Sequence, residues 1–386
     1  MLLPLLYCAP WLAVFGFLVF RVRMPRPLPG ASTADNRVVS VVVPARNEAQ
    51  NIEACVSSLV ASTYPRFEVV VVDDRSDDAT GDLVRALRRG RAERVVVVEG
   101  AHLPDGWLGK PWACRQGAEA AAGDLLLFTD ADTVHGPELL GRAVAAMDED
   151  EADLLTLSGR QIMGSFWERL VQPQIFLSML FRFYDMERAT KRGRWRDAIA
   201  NGQFMLFPRE SYDALGGHGS VRDEIVEDLA MAQHVVREGR RLSLRQADQD
   251  FATRMYRSLS ELVAGWSKNL MMGGAQSMPP LLRPLVAPFT VLMGAGLWLA
   301  PPIALAAALM GVGGAGLLTW AAATVGISAV FWMVFTARMG APFGYGLLYP
   351  LGSVVAIHIL LRSWARGRKV EWKGREYTLK PVSEVR

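Results

Sequence analysis

The stretch VSVVVPARNEAQNI, residues 39–52, passes from a β-branched apolar run to a polar segment and then to a helical pattern. EVVVVDDRSDDAT (68–80) and DLLLFTDAD (124–132) are further apolar runs that end in acidic residues. Near-continuous apolar runs of this length are typical of strands buried on both faces of a mostly parallel sheet. The predicted strands are 38–43, 68–73, 94–99, 124–130 and 153–158, and the predicted helices between them are 49–62, 79–89, 112–122 and 137–147. This alternation predicts an α/β fold that binds its ligands at the carboxyl ends of the strands.

The composition excludes several classes of protein. The chain has 386 residues, of which 51% are hydrophobic and 21% charged, so it is too apolar to be disordered. Lys+Arg 42 against Asp+Glu 39 leaves a net charge of +3, and no overall basic character points to nucleic acid as a partner. The three cysteines, Cys8, Cys55 and Cys114, lack metal-ligand spacing and predict no disulfide framework.

The first residues of the chain predict a membrane anchor. Residues 1–20 carry no charge and match the roughly 20 apolar residues that cross a bilayer. Arg21, Arg23 and Arg26 follow this run, whereas a cleaved signal peptide has basic residues before its apolar run and a small-residue cleavage site after it. We therefore predict a retained anchor with the amino terminus outside and the following chain on the cytoplasmic side.

A second apolar block lies towards the carboxyl end. Residues 284–337 contain no Lys, Arg, Asp or Glu and are long enough for two spans, and 343–361 form a further apolar run. The basic residues after this block predict a cytoplasmic tail, and they are Arg362, Arg366, Arg368, Lys369, Lys373 and Arg375. Three full spans would place that tail on the opposite side. The sequence therefore predicts either one re-entrant or interfacial segment or an exception to the charge rule.

Acidic residues follow two of the predicted strands. Asp73 and Asp74 end the second strand, where carboxylates can accept hydrogen bonds from a ribose or a base and help hold a cation. Asp130 and Asp132 end the fourth strand, and Mg²⁺ typically takes one or two protein carboxylates and fills its other positions with phosphate oxygens and water. The alternative for the first cluster is that residues such as Asp78 only cap the next helix.

Three other motifs bear on function. No G-x-G-x-x-G follows the first strand, and a Walker A pattern is excluded because Pro104 and Pro111 occupy two of its required positions. Lys110, at the start of a predicted helix, is either a pyrophosphate contact or a solvated lysine. Glu227 and Asp228 begin another predicted helix, where acidic residues either balance the helix dipole or supply a general base.

Taken in order, these segments resemble the family 2 inverting glycosyltransferases of GT-A fold over roughly residues 38–270. The resemblance rests on the 39–52 and 68–80 segments, the Asp-Ala-Asp triplet at 130–132 and the later Glu-Asp pair. PDGWLGKPWACRQG (104–117) and RMYRSLSELVAGWSKN (254–269) are most similar to the hopene-associated glycosyltransferases, with the carotenoid-acid glycosyltransferases as close relatives. The implied fold is a Rossmann-like, mostly parallel sheet.

The resemblance also implies a role for each matching residue. The nucleotide-sugar pocket would be lined by Pro44, Arg46, Glu48, Asp73, Asp74, Lys110 and Asp130. Asp130 and Asp132 would hold Mg²⁺ or Mn²⁺ against the diphosphate, with Asp132 the more direct ligand. Asp228 would be the general base, with Glu227 beside it. The acceptor would be contacted by Asn201, Gly202, Gln203, Arg257 and Trp266.

The implied reaction is hexosyl transfer from a nucleoside-diphosphate sugar, with a UDP-sugar favoured, to a lipid acceptor of hopanoid or carotenoid type. Processive synthases carry Gln-x-x-Arg-Trp after the Glu-Asp pair, and its absence here favours the addition of a single sugar. One alternative is processive or polyprenyl-phosphate transfer, and another is a non-catalytic, membrane-anchored nucleotide-sugar-binding protein. A secondary transporter is disfavoured because residues 284–337 contain no charged group at mid-bilayer depth.

The predicted organisation has five parts. They are an anchor at 1–23, a linker at 24–36, the glycosyltransferase domain at 37–270, transmembrane or interfacial helices at 271–361 and a basic cytoplasmic tail at 362–386. Within the domain, 166–184 is predicted either to lie in the membrane interface or to form a buried core helix. The whole predicts a multi-pass protein of the cell (inner) membrane with its catalytic domain on the cytoplasmic side.

Overall fold

A computed structural model describes residues 7–31, 36–185, 192–367, 369–373 and 375–378 of the chain. The chain forms two compact units. The α/β unit comprises Met24–Ile162, Met186–Met255 and Arg368–Arg386, and the helical unit comprises Met1–Arg23, Met163–Asp185 and Tyr256–Gly367. Residues 163–185 and 256–270, which the sequence assigned to the glycosyltransferase domain, therefore group with the apolar helices.

The strands and helices have the following bounds. The strands are β1 (Arg26–Pro27), β2 (Val39–Ala45), β3 (Phe67–Asp73), β4 (Val95–Glu99), β5 (Leu125–Phe128), β6 (Thr133–His135), β7 (Leu154–Ser158), β8 (Arg160–Gln161), β9 (Met205–Pro208), β10 (Leu242–Gln246), β11 (Phe251–Thr253), β12 (Lys369–Trp372) and β13 (Arg375–Thr378). The α-helices are α1 (Ala9–Phe20), α2 (Ile52–Val60), α3 (Thr80–Ala86), α4 (Gly109–Ala120), α5 (Leu139–Asp150), α6 (Phe166–Arg182), α7 (Arg209–Ala214), α8 (Glu227–Arg237), α9 (Leu259–Gln276), α10 (Arg283–Gly294), α11 (Ala300–Leu309), α12 (Gly314–Arg338) and α13 (Tyr349–Arg366).

An eight-stranded sheet forms the centre of the α/β unit, in the order β1-β10-β7-β9-β5-β2-β3-β4. Its pairings are parallel except those of β9, which runs antiparallel to β5 and β7. The apolar runs predicted as strands form β2, β3, β4, β5 and β7. The prediction of an α/β fold with a mostly parallel sheet is therefore confirmed. A smaller sheet has the order β6-β11-β8, and β12 and β13 form an antiparallel hairpin.

The register of the central strands brings the predicted site residues to one edge. Val42 of β2 pairs with Val70 of β3 and with Phe128 of β5, and all three side chains are buried. Because these strands are parallel, the segments that follow β2, β3 and β5 emerge at the same edge, here called the carboxyl edge. β9 starts at this edge because it runs the other way, so residues 201–204, just before it, arrive there too.

The helical unit has a separate core of aromatic side chains. Trp298, Phe331 and Trp332 pack on one another in this core, and the Trp11 Nε1 donates a hydrogen bond to the Leu297 carbonyl over 2.8 Å. Helix α6 begins with a capping box at Ser165, and its middle residues are buried in the unit. Of the two predictions for 166–184, burial of α6 therefore fits the core helix.

Within the described residues, three helices of the helical unit are long and apolar enough to cross a membrane. They are Pro280–Leu309, Gly314–Arg338 and Phe343–Arg366. In the first, only 17% of the most apolar stretch is buried, and Leu281 is 91% exposed. The turn before Gly314–Arg338 passes through residues with positive φ, including Gly313 at +78°, a conformation that favours glycine. These helices support membrane association. The described part of the predicted amino-terminal anchor is the shorter apolar helix α1.

Candidate active site

The loops after β2 and β3 are tied together at the carboxyl edge. The Arg46 Nη1 donates to the carbonyls of Asp74 and Arg75, over 2.6 and 2.7 Å. The Asn47 backbone N–H donates to the Ser76 hydroxyl over 3.0 Å. Asn47 and Arg75 both have positive φ, +53° and +57°, which is uncommon for residues other than glycine. The hydrogen bonds between the loops hold both residues in this conformation, so these loops are rigidly shaped.

The carboxylates at this end of the edge are paired with cations. Both oxygens of Asp74, whose side chain is 1% exposed, accept hydrogen bonds from the Arg375 guanidinium over 2.6 and 3.2 Å. Burial raises the pKa of Asp74, and Arg375 opposes that shift. Glu48 lies 2.8 Å from the Lys373 Nζ. Asp73 accepts a hydrogen bond from the Ser76 backbone N–H over 3.1 Å, which fits a turn-stabilising role as well as a ligand contact.

A lysine lies at the centre of the next part of the edge. The Lys110 Nζ, at the start of α4, is 2.7 Å from Asp130 and 2.7 Å from Glu227. Burial lowers the pKa of Lys110, but the negative charges of Asp130, Glu227 and Asp228 outweigh burial and hold it well above its ordinary value. Of the two predictions for Lys110, the solvated lysine is therefore wrong. Lys110 joins Asp130, in the loop after β5, to Glu227, the first residue of α8.

Asp132 is a half-buried carboxylate that forms no ion pair within the described residues. Burial, together with the charges of Asp130 and Glu48, raises the pKa of Asp132 to about 8. Its Oδ1 atom is buried and has no hydrogen-bond partner within the described parts of the chain. A buried carboxylate oxygen without a partner is costly unless a ligand or a cation supplies one.

Asp228, the second residue of α8, is held by two backbone N–H groups. Its Oδ2 accepts a hydrogen bond from Gly202 over 2.8 Å, and its Oδ1 accepts one from Leu229 over 2.7 Å. A Cβ atom at residue 202 would lie 2.9 Å from the same Oδ2, so a glycine is needed at this close approach. Burial, followed by the charge of Glu227, raises the pKa of Asp228 to about 6. This carboxylate is fixed in place and poised to exchange a proton near neutral pH.

The predicted acceptor residues fall into two groups. Asn201 and Gln203 flank Gly202 in the α/β unit, and the Asn201 Nδ2 donates to the Leu157 carbonyl over 2.9 Å. These three residues therefore lie beside Asp228, and their acceptor role stays a prediction. Arg257 and Trp266 belong to the helical unit, where the Trp266 ring is buried against Phe176 and Tyr256. An acceptor role for those two residues stays a prediction.

Two histidines of the α/β unit, His135 and His218, are buried. His135 lies in β6, where its Nε2 is 3.1 Å from the Thr129 hydroxyl and 3.0 Å from the Thr133 hydroxyl. His218 lies in a short 3₁₀ turn, and its Nδ1 is 2.9 Å from the Tyr212 hydroxyl. Both rings pack on aromatic neighbours in the α/β unit and serve its core, a function that the sequence did not reveal.

The arrangement of this edge agrees with a match to a known family. Residues 40–216 match the sequence model described as Glycosyl transferase family 2. Over this segment the chain is similar to glycosyltransferase family 2, and it is a glycosyltransferase. The matched region includes the loops after β2, β3 and β5 and the segment before β9, and it ends before Glu227 and Asp228.

This glycosyltransferase also has relatives over most of its length. It is 28% identical over 365 residues to a 4,4'-diaponeurosporenoate glycosyltransferase of Staphylococcus aureus (strain MRSA252), and the match covers 89% of each chain. The protein of that name from strain USA300 is 26% identical over 358 residues, with the same coverage. A solved mannosyltransferase from Pyrobaculum calidifontis, in complex with GDP-Man and Mn²⁺, has a TM-score of 0.50 and 20% identity over 94% of both chains. That likeness shows the GT-A fold.

The residues of this glycosyltransferase suit a divalent cation bound jointly with a ligand. No group of three or more His, Cys, Asp or Glu side chains within the described residues could hold a metal ion alone. The buried, unpartnered oxygen of Asp132, near Asp130, is instead what a hard cation needs from the protein when phosphate oxygens and water complete its coordination. Asp132 and Asp130 therefore fit Mg²⁺ or Mn²⁺.

Two site residues of this glycosyltransferase were not predicted. Lys373 and Arg375 were assigned only to a basic tail, yet the structure brings both to the carboxyl edge. A hairpin signal was available in the sequence, since Lys373-Gly374 lies between the short β-like segments 369–372 and 375–378. No signal in the sequence indicated which acidic residues these cations would contact.

Proposed function

We propose that this glycosyltransferase moves a single sugar from a nucleoside-diphosphate sugar to a lipid acceptor at a membrane, with inversion at the anomeric carbon. The observation that carries the proposal is the position of Asp228. It is a half-buried carboxylate, anchored by a backbone N–H group, with a pKa of about 6, and Lys110 links its neighbour Glu227 to the strand end that bears Asp130 and Asp132. A candidate base and a candidate diphosphate site thus lie at one edge.

The proposed chemistry needs only one catalytic carboxylate. Asp228 takes the proton of the acceptor hydroxyl, whose oxygen then bonds to the anomeric carbon. The bond from that carbon to the diphosphate oxygen breaks, and its electron pair leaves with the nucleoside diphosphate. Because this is a direct displacement, no second carboxylate is needed as a nucleophile. Lys110 places a positive charge beside the departing diphosphate.

The remaining residues would orient the donor and hold the cation. Arg46, Glu48, Asp73 and Asp74 form the nucleotide end of the pocket, with Pro44 at the end of β2. When bound through Asp132 and Asp130, Mg²⁺ or Mn²⁺ would stabilise the charge that develops on the diphosphate. The mannosyltransferase with GDP-Man and Mn²⁺ supports this assignment by fold alone. A UDP-sugar is our proposed donor.

The nature of the acceptor changes what Asp228 must do. The Staphylococcus aureus relatives are named for an acceptor that is a carboxylate, and a carboxylate is ionised at neutral pH without the help of a base. A hydroxyl is not, so it needs a general base. An anchored carboxylate with a pKa of about 6 favours a hydroxyl acceptor, such as a hopanoid-type alcohol, whereas the relatives favour a carotenoid acid.

The three exposed apolar helices support a lipid acceptor, because they bring the enzyme to the phase in which such an acceptor dissolves. We propose that the protein is a multi-pass protein of the cell (inner) membrane with its α/β unit on the cytoplasmic side, where nucleotide-sugars are made. The absence of Gln-x-x-Arg-Trp supports a single addition over processive transfer.

The test is to incubate membranes that contain the full chain with labelled UDP- and GDP-sugars and lipid extracts rich in hopanoid alcohols or in carotenoid acids. We expect one labelled lipid carrying one sugar, formed only with Mg²⁺ or Mn²⁺. A ladder of products would indicate processive transfer. Nucleotide-sugar binding without any labelled lipid, unchanged by Asp228→Asn, would identify a non-catalytic binding protein instead.

A further inference from the structure

The carboxy-terminal hairpin, β12–β13, makes its ionic contacts with the proposed nucleotide end of the site. A two-stranded hairpin is only marginally stable by itself in water, so its position depends on what it contacts. Arg375 meets Asp74 with two hydrogen bonds, 2.6 and 3.2 Å long, although the two residues are 301 positions apart. A planar guanidinium facing both oxygens of one carboxylate is a strong and directional pairing.

The turn of the hairpin contacts the loop after β2. The Lys373 Nζ lies 2.8 Å from the Glu48 carboxylate and donates a hydrogen bond to the Asn47 carbonyl over 3.2 Å. In return, the Arg46 Nε donates to the Lys373 carbonyl over 3.2 Å. The hairpin therefore contacts both nucleotide loops at once, through Arg375 on one loop and Lys373 on the other.

These two loops combine an unusual backbone conformation with an excess of negative charge, so contacts from the hairpin would stabilise them. Asn47 and Arg75 both adopt positive φ, which costs free energy unless the surroundings fix it. The loops also carry more acid than base, since Arg46 and Arg75 are outnumbered by Glu48, Asp73, Asp74, Asp77 and Asp78. Without additional cations this end of the site would repel an anionic nucleotide.

We infer that the hairpin completes the nucleotide end of the donor site, with Arg375 and Lys373 as positioning residues that act through Asp74 and Glu48. This inference rests on the proposed function. The hairpin neutralises two carboxylates and fixes two loops, so that a nucleoside diphosphate meets a preformed and less acidic surface. Loss of Arg375 would leave the Asp74 carboxylate buried without a partner, which would shift the loop or repel the ligand.

The test compares nucleotide binding by the full-length protein and its variants in detergent, with UDP and GDP as probes and Mn²⁺ present. We expect Arg375→Gln to weaken binding of the preferred nucleotide by roughly tenfold or more. Arg375→Lys keeps the charge but cannot form the two parallel hydrogen bonds. Its nucleotide affinity is expected to lie between those of the wild type and Arg375→Gln. In turnover assays the donor KM should rise while kcat at saturating donor stays close to that of the wild type.

The matched control is Arg240→Gln. Arg240 pairs with Asp153 over 2.9 Å in the same unit, and neither residue lies in the proposed site. This variant should lose some thermal stability and keep its nucleotide affinity. Unchanged binding in Arg375→Gln and Arg375→Lys would overturn the inference, and so would tighter binding, which would mean that the hairpin obstructs the site. If the wild type binds neither nucleotide, the proposed function fails instead.

Discussion

The two ends of the carboxyl edge differ in how their carboxylates are paired with cations. At the nucleotide end Arg375 pairs with Asp74 and Lys373 pairs with Glu48. At the reaction end Lys110 faces a cluster of carboxylates. These are Asp130, Asp132, Glu227 and Asp228. Within the described residues, two carboxylates of the first end have their own cations, whereas Asp130 and Glu227 of the second end share Lys110.

This difference indicates how the two ends would work. A compensated edge is rigid before its ligand binds, which lowers the entropy lost on binding. An edge with excess negative charge favours a cation and, with it, a diphosphate. Burial and, after it, neighbouring negative charges raise the pKa values of Asp132 and Asp228 to about 8 and about 6. The carboxylates of the reaction end therefore repel one another at the place where the reaction needs a cation.

The largest expected effect comes from Asp228→Asn. This change keeps the shape of the side chain and removes its ability to take a proton. For a hydroxyl acceptor, we expect the rate of sugar transfer to fall by roughly 10²–10⁴-fold, while donor affinity changes by only a few-fold. Single-turnover transfer and nucleotide binding would be measured on the same preparation.

The outcome of Asp228→Asn also separates the two acceptor classes. With a carboxylic acid acceptor, which is already ionised, the loss should be much smaller. Wild-type turnover of an alcohol acceptor by this variant would remove Asp228 as the base.

Next in size is the effect of Asp132→Asn on metal dependence. Since an amide lacks the negative charge that a hard cation prefers, the Mn²⁺-dependent part of nucleotide binding should weaken by roughly tenfold or more. Titration calorimetry with and without Mn²⁺ measures it. Asp148→Asn is the matched control, because Asp148 belongs to another acidic triplet on the surface. Equal Mn²⁺ dependence in both variants would exclude Asp132 as a ligand.

A smaller effect, on stability, is expected from Lys110→Met. Removing this cation leaves Asp130 and Glu227 facing each other, so the midpoint of thermal unfolding should fall by several degrees. Mn²⁺ with a nucleoside diphosphate should restore part of that loss. The same addition should restore much less in Arg375→Gln, since the nucleotide end lacks a place for a cation. Equal recovery in both variants would contradict the distinction between the ends.

The smallest expected effect is the pH dependence of the free energy of unfolding that His135 causes. Burial lowers the pKa of His135 to about 3, below its value in the unfolded chain. Its contribution to stability is therefore complete above about pH 6.5 and is lost as the pH falls below that, by about 1 kcal/mol between pH 7 and pH 5.5. The raised pKa of Asp132 has the opposite sign, since it costs stability as the pH rises from about 4 to about 8.

The measurement is the midpoint of unfolding against pH for the wild type and for His135→Gln. Relative to the variant, the wild type should lose stability as the pH falls below 6.5. His102→Gln, at an exposed position, is the control and should leave the slope unchanged.

Sequence patterns predicted much of this architecture, because parallel strands impose a simple geometry. The valine runs gave β2 and β3, and the rule that such strands end at one edge brought Asp73 and Asp130 together before any contact was known. Asp228 needed the family resemblance, since acidic residues at a helix start usually have no chemical role.

The contacts that the sequence could not predict are those made between distant residues. The pairing of Lys110 with both Asp130 and Glu227 depends on how α4 and α8 pack against the sheet, which local patterns do not encode. The placement of Arg375 on Asp74 depends on the return of the chain after a long apolar block. For Trp266, an aromatic residue near a family motif had suggested a ligand contact, and its ring lies in a core.

The return of the hairpin to the carboxyl edge also constrains membrane topology. Asp74 precedes all three long apolar helices and Arg375 follows them, yet the two side chains touch. Both ends of the apolar block therefore lie on the same side of any bilayer that the block enters, so the number of complete crossings is even. Three helices among the described residues are long enough to cross, so we expect at least one of them to return to the face from which it came or to lie along it. Pro280–Leu309, which a π-helical turn at Ala295–Leu299 interrupts, is the helix best suited to do so.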